Sequence, residues 1–546
     1  MSEAGVRVLR LVAAFALLAS AAAPTLAARI VDAARLGDRA AVTAELDGGA
    51  DPNSRSADGT TALHWAVYND DAELVERLIA AGAEVDVVND YGSRPLLEAA
   101  VIGNVDVIRA LLAAGADVDV KGADGETPLM VVARSSNVDA ARLLIEHGAD
   151  VNARETWRNQ TAVIWAAAQK QPEMLALLLE HGADPDARSA VNEWDRQVSA
   201  EPREMFRPYG GMTALMYAAR EGCAECARVL VEGGADPDLA DPRNVTPLII
   251  AINNLHFDVA AVLLEAGASV DKFDIWGRTP LYAAVDMNTI PHGGRPDTRS
   301  TSKTTSLELI ERILQAGANP NIQLKHRPPY RDIRFDRGCD RMLTTGATPL
   351  LRAAKTFSVE AMRLLIEHGA LLELPNESGT TPLMAAAGYE SLECDIRGYG
   401  PGIPHYVTPD VQEKSIAALE VLLEAGADIN ARTTGGRLGA GQTALFGAAF
   451  WGWNDVVEYL VGAGARIDVA DAQGRTPVDA ALGRIGGHER GSTIVVYEDT
   501  AELLVQLCAR QPDCDLSDPE PPPAPRRAAA AAGADRIQSS YQRVIE

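Results

Sequence analysis

Hydrophobic and polar positions along this chain repeat with a period of 33 residues, seen most clearly between residues 124 and 155. Two groups of apolar residues at helical spacing lie within that stretch, the first at Leu129, Val132 and Ala133 and the second at Val138, Ala141, Leu144 and Ile145. The pattern predicts two short helices. Isolated helices of about two to four turns are marginal in water, so each pair must bury its apolar faces against neighbouring pairs.

The residues that flank these apolar groups are those that start and stop helices. Thr127 can cap the first helix with its hydroxyl group, and Pro128 suits the first helical position, where its missing N–H costs nothing. The polar run at 135–137 separates the helices, and Gly148 can adopt a positive φ and end the second one.

The same helix starts and stops recur in one phase along the chain. Gly-Ala pairs, which end the second helix of a unit, begin at Gly49, Gly82, Gly115, Gly148, Gly182, Gly234, Gly267, Gly317, Gly369, Gly426 and Gly464. First helices begin at Thr61, Thr127, Thr161, Thr213, Thr246, Thr279, Thr348, Thr381, Thr443 and Thr476, with Arg94 in the one missing slot. We count twelve units, of which the first and the last are atypical, as expected of caps.

A 33-residue period with the motif T-P-L-H-x-A at the helix start resembles the ankyrin repeat, and the closest match here is TALHWA at 61–66. The resemblance covers about 480 residues, roughly 28–510. It implies an all-α-dominated ankyrin-repeat solenoid of about twelve helix–turn–helix units with short hairpin turns and long loop inserts.

Departures from the period predict inserts near 190–209, 289–306, 325–345, 389–414 and 484–498. In ankyrin-like proteins, the turns between units form fingers beside a concave surface. The inserts at 190–209 and 325–345 fall in such turns and would border that surface. Those at 289–306 and 389–414 fall between the two helices of a unit and would lie at the far end.

Composition narrows the function classes. The chain has 546 residues, of which 47% are hydrophobic and only 5% aromatic, which fits Ala- and Leu-rich helix packing better than a β-sandwich. Its net charge of −26 argues against general nucleic-acid binding, which needs a basic surface. Basic partners remain compatible with this charge.

The two ends of the chain differ from the array. Residues 1–27 show the charged, apolar, small-residue order of a signal peptide, with Arg7 and Arg10 before the apolar stretch 11–23. We therefore expect a periplasmic or secreted protein with no membrane span after cleavage, although an uncleaved N-terminal anchor is the alternative. Residues 511–546 are rich in Pro and Ala and are expected to form a mobile tail.

Six cysteines in an exported chain suggest disulfides. Cys508 and Cys514 are the favoured pair, and a bridge between Cys339 and Cys394 is the weaker alternative. Cys223-Ala-Glu-Cys226 has the spacing of a redox or metal motif, but it falls at the start of a second helix, where a structural role is the preferred interpretation.

No motif in the chain predicts a cofactor or a metal. His147, His181 and His368 each occur in Glu-His-Gly-Ala, at the end of a second helix, where an imidazole suits the negative end of the helix dipole. The glycine cluster at 435–441 matches neither a dinucleotide-binding nor a Walker loop. We therefore predict a protein that is not an enzyme and needs no cofactor.

The resemblance instead implies a scaffold that binds another protein on its concave surface. Carried over by phase, the finger tips include Tyr91, Arg158, Trp276 and Arg278. The ends of first helices include Tyr68, Arg134, Arg220, Asn253, Lys355, Tyr389, Phe450 and Trp451. Aromatic residues and Arg dominate binding hot spots. The alternatives are an enzyme or redox protein whose site is built by the inserts after residue 182, and a secreted effector; in each case we expect a monomer.

Overall fold

A computed structural model describes residues 26–192, 209–288, 300–326, 345–389, 410–435, 439–485 and 495–522 of this chain. Residues 1–25, most of the expected signal peptide, lie outside these ranges. So do most residues of the five expected inserts, together with Cys339 and Cys394.

The described residues form 24 α-helices and one pair of two-residue strands. The helices are α1 Leu26–Arg35, α2 Arg39–Asp47, α3 Ala62–Tyr68, α4 Ala72–Ala80, α5 Pro95–Ile102, α6 Val105–Ala113, α7 Pro128–Arg134, α8 Val138–Glu146, α9 Ala162–Ala168, α10 Pro172–Glu180, α11 Ala214–Glu221, α12 Ala224–Glu232, α13 Pro247–Asn253, α14 Phe257–Glu265, α15 Pro280–Asn288, α16 Ser306–Gln315, α17 Pro349–Lys355, α18 Val359–Glu367, α19 Pro382–Ala386, α20 Val411–Glu424, α21 Ala444–Phe450, α22 Asn454–Gly462, α23 Pro477–Ala481 and α24 Glu498–Ala509. Consecutive helices pair into twelve helix–turn–helix repeats, which confirms the predicted solenoid.

The repeats form two compact halves, an N-terminal half that ends at Ala268 and a C-terminal half that begins at Ser269. Within each half, the odd-numbered helices pack side by side in one layer, and the even-numbered helices form a second layer against them. Most buried side chains of these helices are Ala, Leu, Ile, Val or Met. Small Ala side chains let neighbouring helices approach closely, so short helices can share one continuous core.

Helix starts are fixed by side-chain caps, as the sequence predicts. The Thr127 hydroxyl accepts a hydrogen bond from the backbone N–H of Met130 at 3.4 Å, and the Thr348 hydroxyl accepts one from Leu351 at 3.1 Å. Second helices use a different cap, in which the Asn137 side chain accepts from the Ala140 N–H at 3.0 Å. Each cap satisfies one of the backbone donors that a helix start leaves unpaired.

An asparagine four residues after the glycine of a Gly-Ala pair links neighbouring repeats at Asn53, Asn152, Asn321 and Asn430. The Asn152 side chain donates to the Gly182 carbonyl at 3.0 Å and accepts from the Asp184 N–H at 2.8 Å. Asn430 makes the same two bonds in the C-terminal half, to Gly464 and Arg466. The asparagine therefore joins the end of one repeat to the end of the next.

The described bases of two expected inserts are closed by backbone hydrogen bonds. Strand β1, Val191–Asn192, pairs antiparallel with strand β2, Tyr209–Gly210. At the second base, the Leu324 N–H donates to Ala347 at 3.0 Å, and the Gly346 N–H donates to Leu324 at 2.7 Å. Both inserts between repeats therefore leave and rejoin the array through short hairpin stems.

Two segments differ from the expectation. Residues 411–414, placed in an insert by the sequence, form the start of α20, which has 14 residues. The beginning of the expected mobile tail docks on the array, where the Glu520 N–H donates to Asp468 and the Ala470 N–H donates to Glu520. Arg466 and Arg432 both form ion pairs with the Glu520 carboxylate. An acidic residue with two arginine partners explains this docking, which composition alone does not reveal.

Among the described residues, no helix is long and apolar enough to cross a membrane.

Candidate functional site

The fingers between repeats are held in shape by a polar side chain at their base. The buried Glu155 carboxylate accepts backbone N–H bonds from Arg158 at 2.8 Å and from Gln160 at 2.9 Å. Asp274 does the same with Trp276 and Arg278 in the C-terminal half, at 3.0 Å each. A carboxylate that satisfies several backbone donors fixes the turn, so the residues at the tip are presented in a defined geometry.

The tips in the N-terminal half expose aromatic side chains and arginine. Tyr91 is 75% exposed and Trp157 is 69% exposed. The Arg158 guanidinium lies over the Trp157 ring, 4.2 Å from its centroid. Stacking of this kind stabilises both side chains and leaves the edge of the guanidinium available for hydrogen bonds.

The Trp276 tip belongs to the C-terminal half and is less exposed. Trp276 and Arg278 are both half-buried. The Arg278 guanidinium lies 5.2 Å from the Trp276 ring centroid, and its Nε donates to the buried Asp274 carboxylate at 2.7 Å. Arg278 therefore supports its own finger through Asp274, in addition to any contact with a partner.

The ends of first helices in the N-terminal half form an exposed surface. Tyr68 on α3 is 63% exposed and Val101 on α5 is 64% exposed. Arg134 on α7 and Arg220 on α11 are also exposed, whereas Asn253 on α13 is half-buried. The sequence-predicted positions Tyr68, Arg134 and Arg220 thus lie on helices of one layer.

Two of these arginines stack on aromatic rings. The Arg134 guanidinium lies 4.9 Å from the ring centroid of Trp165 on the neighbouring α9. The Arg220 guanidinium lies 4.5 Å from the ring centroid of Tyr217 and bonds to Glu221 at 2.8 Å. We call Tyr68, Arg134, Trp165, Tyr217 and Arg220 the arginine–aromatic face.

Three of the predicted contact residues in the C-terminal half, at or just beyond the ends of first helices, are buried, and their prediction as exposed contacts is corrected. Lys355 and Tyr389 are each 2% exposed, and Trp451 is 9% exposed. The Tyr389 hydroxyl donates to Gln442 Oε1 at 2.8 Å, and the Trp451 indole N–H donates to the Gly388 carbonyl at 2.9 Å. These polar groups are used inside the fold, so Tyr389 and Trp451 pack the array instead of presenting themselves to a partner.

Aromatic packing explains the burial of Trp451. Its ring stacks on that of Trp453, with centroids 6.4 Å apart, and meets Phe450 edge to face at 5.4 Å. Trp453 in turn contacts Phe357 of another repeat at 6.5 Å. Phe450 itself is half-buried. The cluster that looks like a binding hot spot in the sequence is largely a core between repeats.

A buried ion pair explains why charged residues lie inside the same region. The Arg352 Nε donates to the Asp286 carboxylate at 2.6 Å, and both residues are nearly inaccessible to solvent. Arg352 lies on α17 and Asp286 on the adjacent α15. Lys355 lies one helical turn beyond Arg352 and is likewise buried, so it is not a surface contact.

The sequence reasoning missed four residues at this surface: Val101 and Trp157 are exposed, Trp165 is half-buried, and Tyr217 is buried beneath Arg220. Trp157 is adjacent to Arg158 at a finger tip, and its exposed aromatic ring could have been found by including both tip positions of that turn. Val101 occupies the helix-end phase of Arg134, so the same phase rule could have found it. Trp165 and Tyr217 lie earlier in their helices, and their role becomes visible only through their stacking on arginine.

The structure contains two disulfides within the described ranges. Cys508 and Cys514, the pair favoured from the sequence, are bonded with their Cα atoms 5.3 Å apart. Cys223 and Cys226 are also bonded, with Cα atoms 5.2 Å apart. The alternative pairing of Cys339 with Cys394 lies outside the described residues.

The part of the chain that the structure describes contains no group of three His, Cys, Asp or Glu side chains able to hold a metal ion. The His147 Nδ1 lies 2.8 Å from the Leu143 carbonyl oxygen, and the His368 Nδ1 lies 2.9 Å from that of Leu364. Both imidazoles thus meet the carbonyl groups at the end of their own helix, as the Glu-His-Gly-Ala sequence predicts.

Comparison with known proteins gives short matches to individual relatives. The chain is 28% identical over 135 residues to Rabankyrin-5 of Mus musculus, which covers 23% of this chain and 10% of that protein. It is 43% identical over 63 residues to Protein PhlB of Serratia liquefaciens, which covers 11% of this chain and 28% of that protein. The chain therefore spans only 10% to 28% of the length of these relatives.

Among solved structures, the human ASB11 ankyrin repeat domain is similar to 43% of this chain and 96% of that domain, with a TM-score of 0.36 and 20% identity. Family models give a broader match. The model for three copies of the ankyrin repeat matches residues 30–122, 111–189, 215–292 and 300–394, and the single-repeat model matches residues 440–472. These ranges cover more than half of the sequence and both halves of the structure, and the chain belongs to the ankyrin repeat family.

Proposed function

We propose that this protein is a non-catalytic scaffold that binds another protein through the arginine–aromatic face and the finger tips of its N-terminal half. Ankyrin repeats generally serve as protein–protein interaction modules, which supports the general function. The observation that favours this particular surface is the difference in exposure between Tyr68 and Arg134 on the one hand and Lys355, Tyr389 and Trp451 on the other.

The chemistry of the face favours a partner segment with carboxylate and apolar side chains. Within the described residues, neither the Arg134 nor the Arg158 guanidinium makes an ion pair, and each stacks on a tryptophan. A stacked guanidinium can still donate two parallel hydrogen bonds to a carboxylate. Tyr68 and Val101 offer exposed apolar area nearby in the helix layer. An acidic segment with interspersed apolar residues satisfies both features.

The proposed location is the periplasm or the cell exterior, with the protein acting as a monomer. The support for export is the order of charged, apolar and small residues at 1–27. We expect mass spectrometry of the mature protein to find an N-terminus near residue 28. A retained Met1 would contradict export while leaving the proposed binding surface untouched.

The binding surface is tested by capture from the native envelope fraction with a matched pair of charge reversals. Arg134 lies at the end of α7, and Arg142 lies exposed on α8 of the same repeat, in the other helix layer. We expect Arg134→Glu to lower the retention of the partner at least tenfold, because it replaces a donor of carboxylate contacts with a repelling charge. Arg142→Glu should retain the partner at the wild-type level.

Two outcomes would overturn the proposed surface. Equal retention by the wild type and both variants would place binding elsewhere on the chain. Equal loss in both variants, with unchanged thermal unfolding, would show that overall charge and not the arginine–aromatic face governs the interaction. Trp157→Ser provides a second test at the finger tip, where the side chain is exposed and its replacement should leave stability unchanged.

A further inference from the structure

The two described disulfides lie at opposite ends of their helices. Cys223 is the cap residue before α12, and Cys226 lies in the first turn of that helix. Cys508 lies in the last turn of α24, and Cys514 follows the helix. Each pair combines one buried sulfur position, Cys226 or Cys508, with one half-buried position. Because their accessibility is matched, the pairs differ mainly in which helix end they occupy.

The helix end determines how well a thiolate is stabilised after reduction. Backbone N–H groups and the positive end of the dipole surround a sulfur at a helix N-terminus, and Cys223 Sγ accepts the Cys226 N–H at 3.1 Å. A sulfur at a helix C-terminus faces carbonyl groups and the negative end of the dipole. A better stabilised thiolate favours the reduced form, so the bond at the N-terminus of α12 should be reduced more easily.

Loop length acts in the opposite direction but is the weaker effect. The Cys223–Cys226 bond closes a loop with a sequence separation of 3, against 6 for Cys508–Cys514. Doubling a loop changes its closure equilibrium by only about threefold. Placement at a helix N-terminus can increase the acidity of a thiol by roughly tenfold or more. The helix end should therefore decide the order of reduction.

The surroundings of Cys223 leave one sulfur open to attack. Cys226 is fully buried, whereas Cys223 is half-buried at the surface of its repeat. The preceding Gly222 has a φ of +79°, and a Cβ atom there would lie 2.5 Å from the His256 imidazole. Glycine thus allows the tight turn that places Cys223 at the edge of the fold, beside a histidine of the next repeat.

We propose that Cys223 and Cys226 form an exchangeable dithiol–disulfide pair, with Cys223 as the sulfur that reacts with the thiol of a small molecule or another protein. In reduction, an external thiolate attacks Cys223 Sγ, the Cys223–Cys226 bond breaks, and Cys226 leaves as a thiolate that takes up a proton. A second external thiolate attacks the external sulfur of the mixed disulfide and releases Cys223. Two external thiols are oxidised to a disulfide, and the protein pair gains two electrons and two protons.

The test uses the mature, full-length protein equilibrated with graded mixtures of reduced and oxidised glutathione, quenched by alkylation and analysed by peptide mass spectrometry. Cys508–Cys514 in the same sample is the internal control. For each pair we measure the ratio [GSH]²/[GSSG] at which half of the disulfide is reduced, where GSH and GSSG are reduced and oxidised glutathione. We expect this ratio to be at least tenfold lower for Cys223–Cys226 than for Cys508–Cys514. Reduction of both pairs at the same ratio, or of Cys508–Cys514 first, would overturn the proposal.

Single substitutions identify the reacting sulfur. In Cys226→Ser, we expect oxidised glutathione to form a mixed disulfide on Cys223. In Cys223→Ser, the buried Cys226 should be modified at least tenfold more slowly in the native protein. Equal rates in the two variants, or faster modification of Cys226, would contradict the assignment, and unchanged circular dichroism confirms that each variant is folded.

Discussion

The N-terminal and C-terminal halves use the same repeat but treat the ends of their first helices in opposite ways. In the N-terminal half, these positions hold Tyr68, Val101, Arg134 and Arg220, and they are exposed. In the C-terminal half, Lys355 ends a first helix, Tyr389 and Trp451 lie just beyond the ends of theirs, and all three are buried. The repeat determines the position of a side chain on its helix, but whether that side chain is exposed depends on the residues that pack against it.

The difference teaches that the regular repeats of the N-terminal half leave more of their helix-end side chains exposed than the C-terminal repeats do. The sequence favours the opposite, because all the long inserts follow residue 182 and predict a specialised surface in the C-terminal part of the array. Yet the described C-terminal repeats use their aromatic and charged side chains to bind one another. Neutral polar side chains do the same: Asn288 donates to Ser358 of the next repeat at 3.0 Å and accepts from Ser306 at 2.5 Å.

The largest expected effect comes from breaking the buried ion pair of the C-terminal half. We expect Arg352→Ala to lower the free energy of unfolding by about 3 to 5 kcal/mol, because it leaves the Asp286 carboxylate buried without this guanidinium. Arg363→Ala, at an exposed position on α18 of the same repeat, should change stability by less than about 0.5 kcal/mol. Chemical denaturation of both variants measures the two losses of unfolding free energy. Similar losses would contradict the burial of the Arg352–Asp286 ion pair.

A buried tryptophan just after the end of α21 and an exposed tyrosine at the end of α3 give the next test. Trp451→Ala should lower the free energy of unfolding by about 3 kcal/mol, because it opens a cavity and removes the bond to the Gly388 carbonyl. Tyr68→Ala should cost less than about 0.5 kcal/mol, since its ring is largely exposed. Thermal and denaturant unfolding provide the measurement. Equal losses of unfolding free energy in the two variants would contradict the difference in burial between the halves.

The finger carboxylate Asp471 offers a smaller, pH-dependent test in the C-terminal half. Burial by itself raises the pKa of this carboxyl, but hydrogen bonds from Arg475, Gln442 and backbone N–H groups outweigh burial and hold the pKa below its usual value. The charged form is therefore favoured by folding, and its contribution is complete above about pH 4 and lost as the pH falls through the lowered folded pKa. We expect Asp471→Asn to cost about 2 kcal/mol at pH 7 and progressively less below pH 4, measured by denaturation across pH.

Asp119 in the N-terminal half has a raised pKa, so its contribution to stability should depend on pH in the opposite direction to that of Asp471. Burial raises its pKa, and Asp150 and Asp117 nearby add to the shift. Its carboxylate accepts the Asp150 N–H at 3.1 Å but cannot donate. At the equivalent position of the next repeat, the Asn152 amide accepts the Asp184 N–H and also donates to the Gly182 carbonyl. Asp119→Asn should therefore raise stability by about 0.5 kcal/mol at pH 7.

The sign follows from proton binding at Asp119. A raised folded pKa means that the folded wild type binds protons first, so its stability falls as the pH rises through that pKa. The advantage of Asp119→Asn should be present at neutral pH and vanish as the pH falls to about 4. A variant less stable than the wild type at pH 7 would contradict this account.

The period of the sequence predicts the twelve helix pairs, the threonine caps and the positions of Tyr68, Arg134 and Arg220, because these depend on local residues and phase. It does not predict the burial of Lys355, Tyr389 and Trp451, which depends on contacts with residues such as Gln442 and Gly388 that lie 53 and 63 positions away. The docking of Glu520 is missed for the same reason, since its partners Arg432 and Arg466 belong to earlier repeats.

Covalent footprinting of the native protein by hydroxyl radicals, read residue by residue by mass spectrometry, tests the contrast between the halves most directly. It compares aromatic side chains of similar reactivity in one sample without any substitution. We predict that Tyr68, Tyr91 and Trp157 are modified at least tenfold faster than Tyr389 and Trp451. Modification of Tyr389 and Trp451 at rates equal to those of Tyr68 and Trp157 would contradict the account.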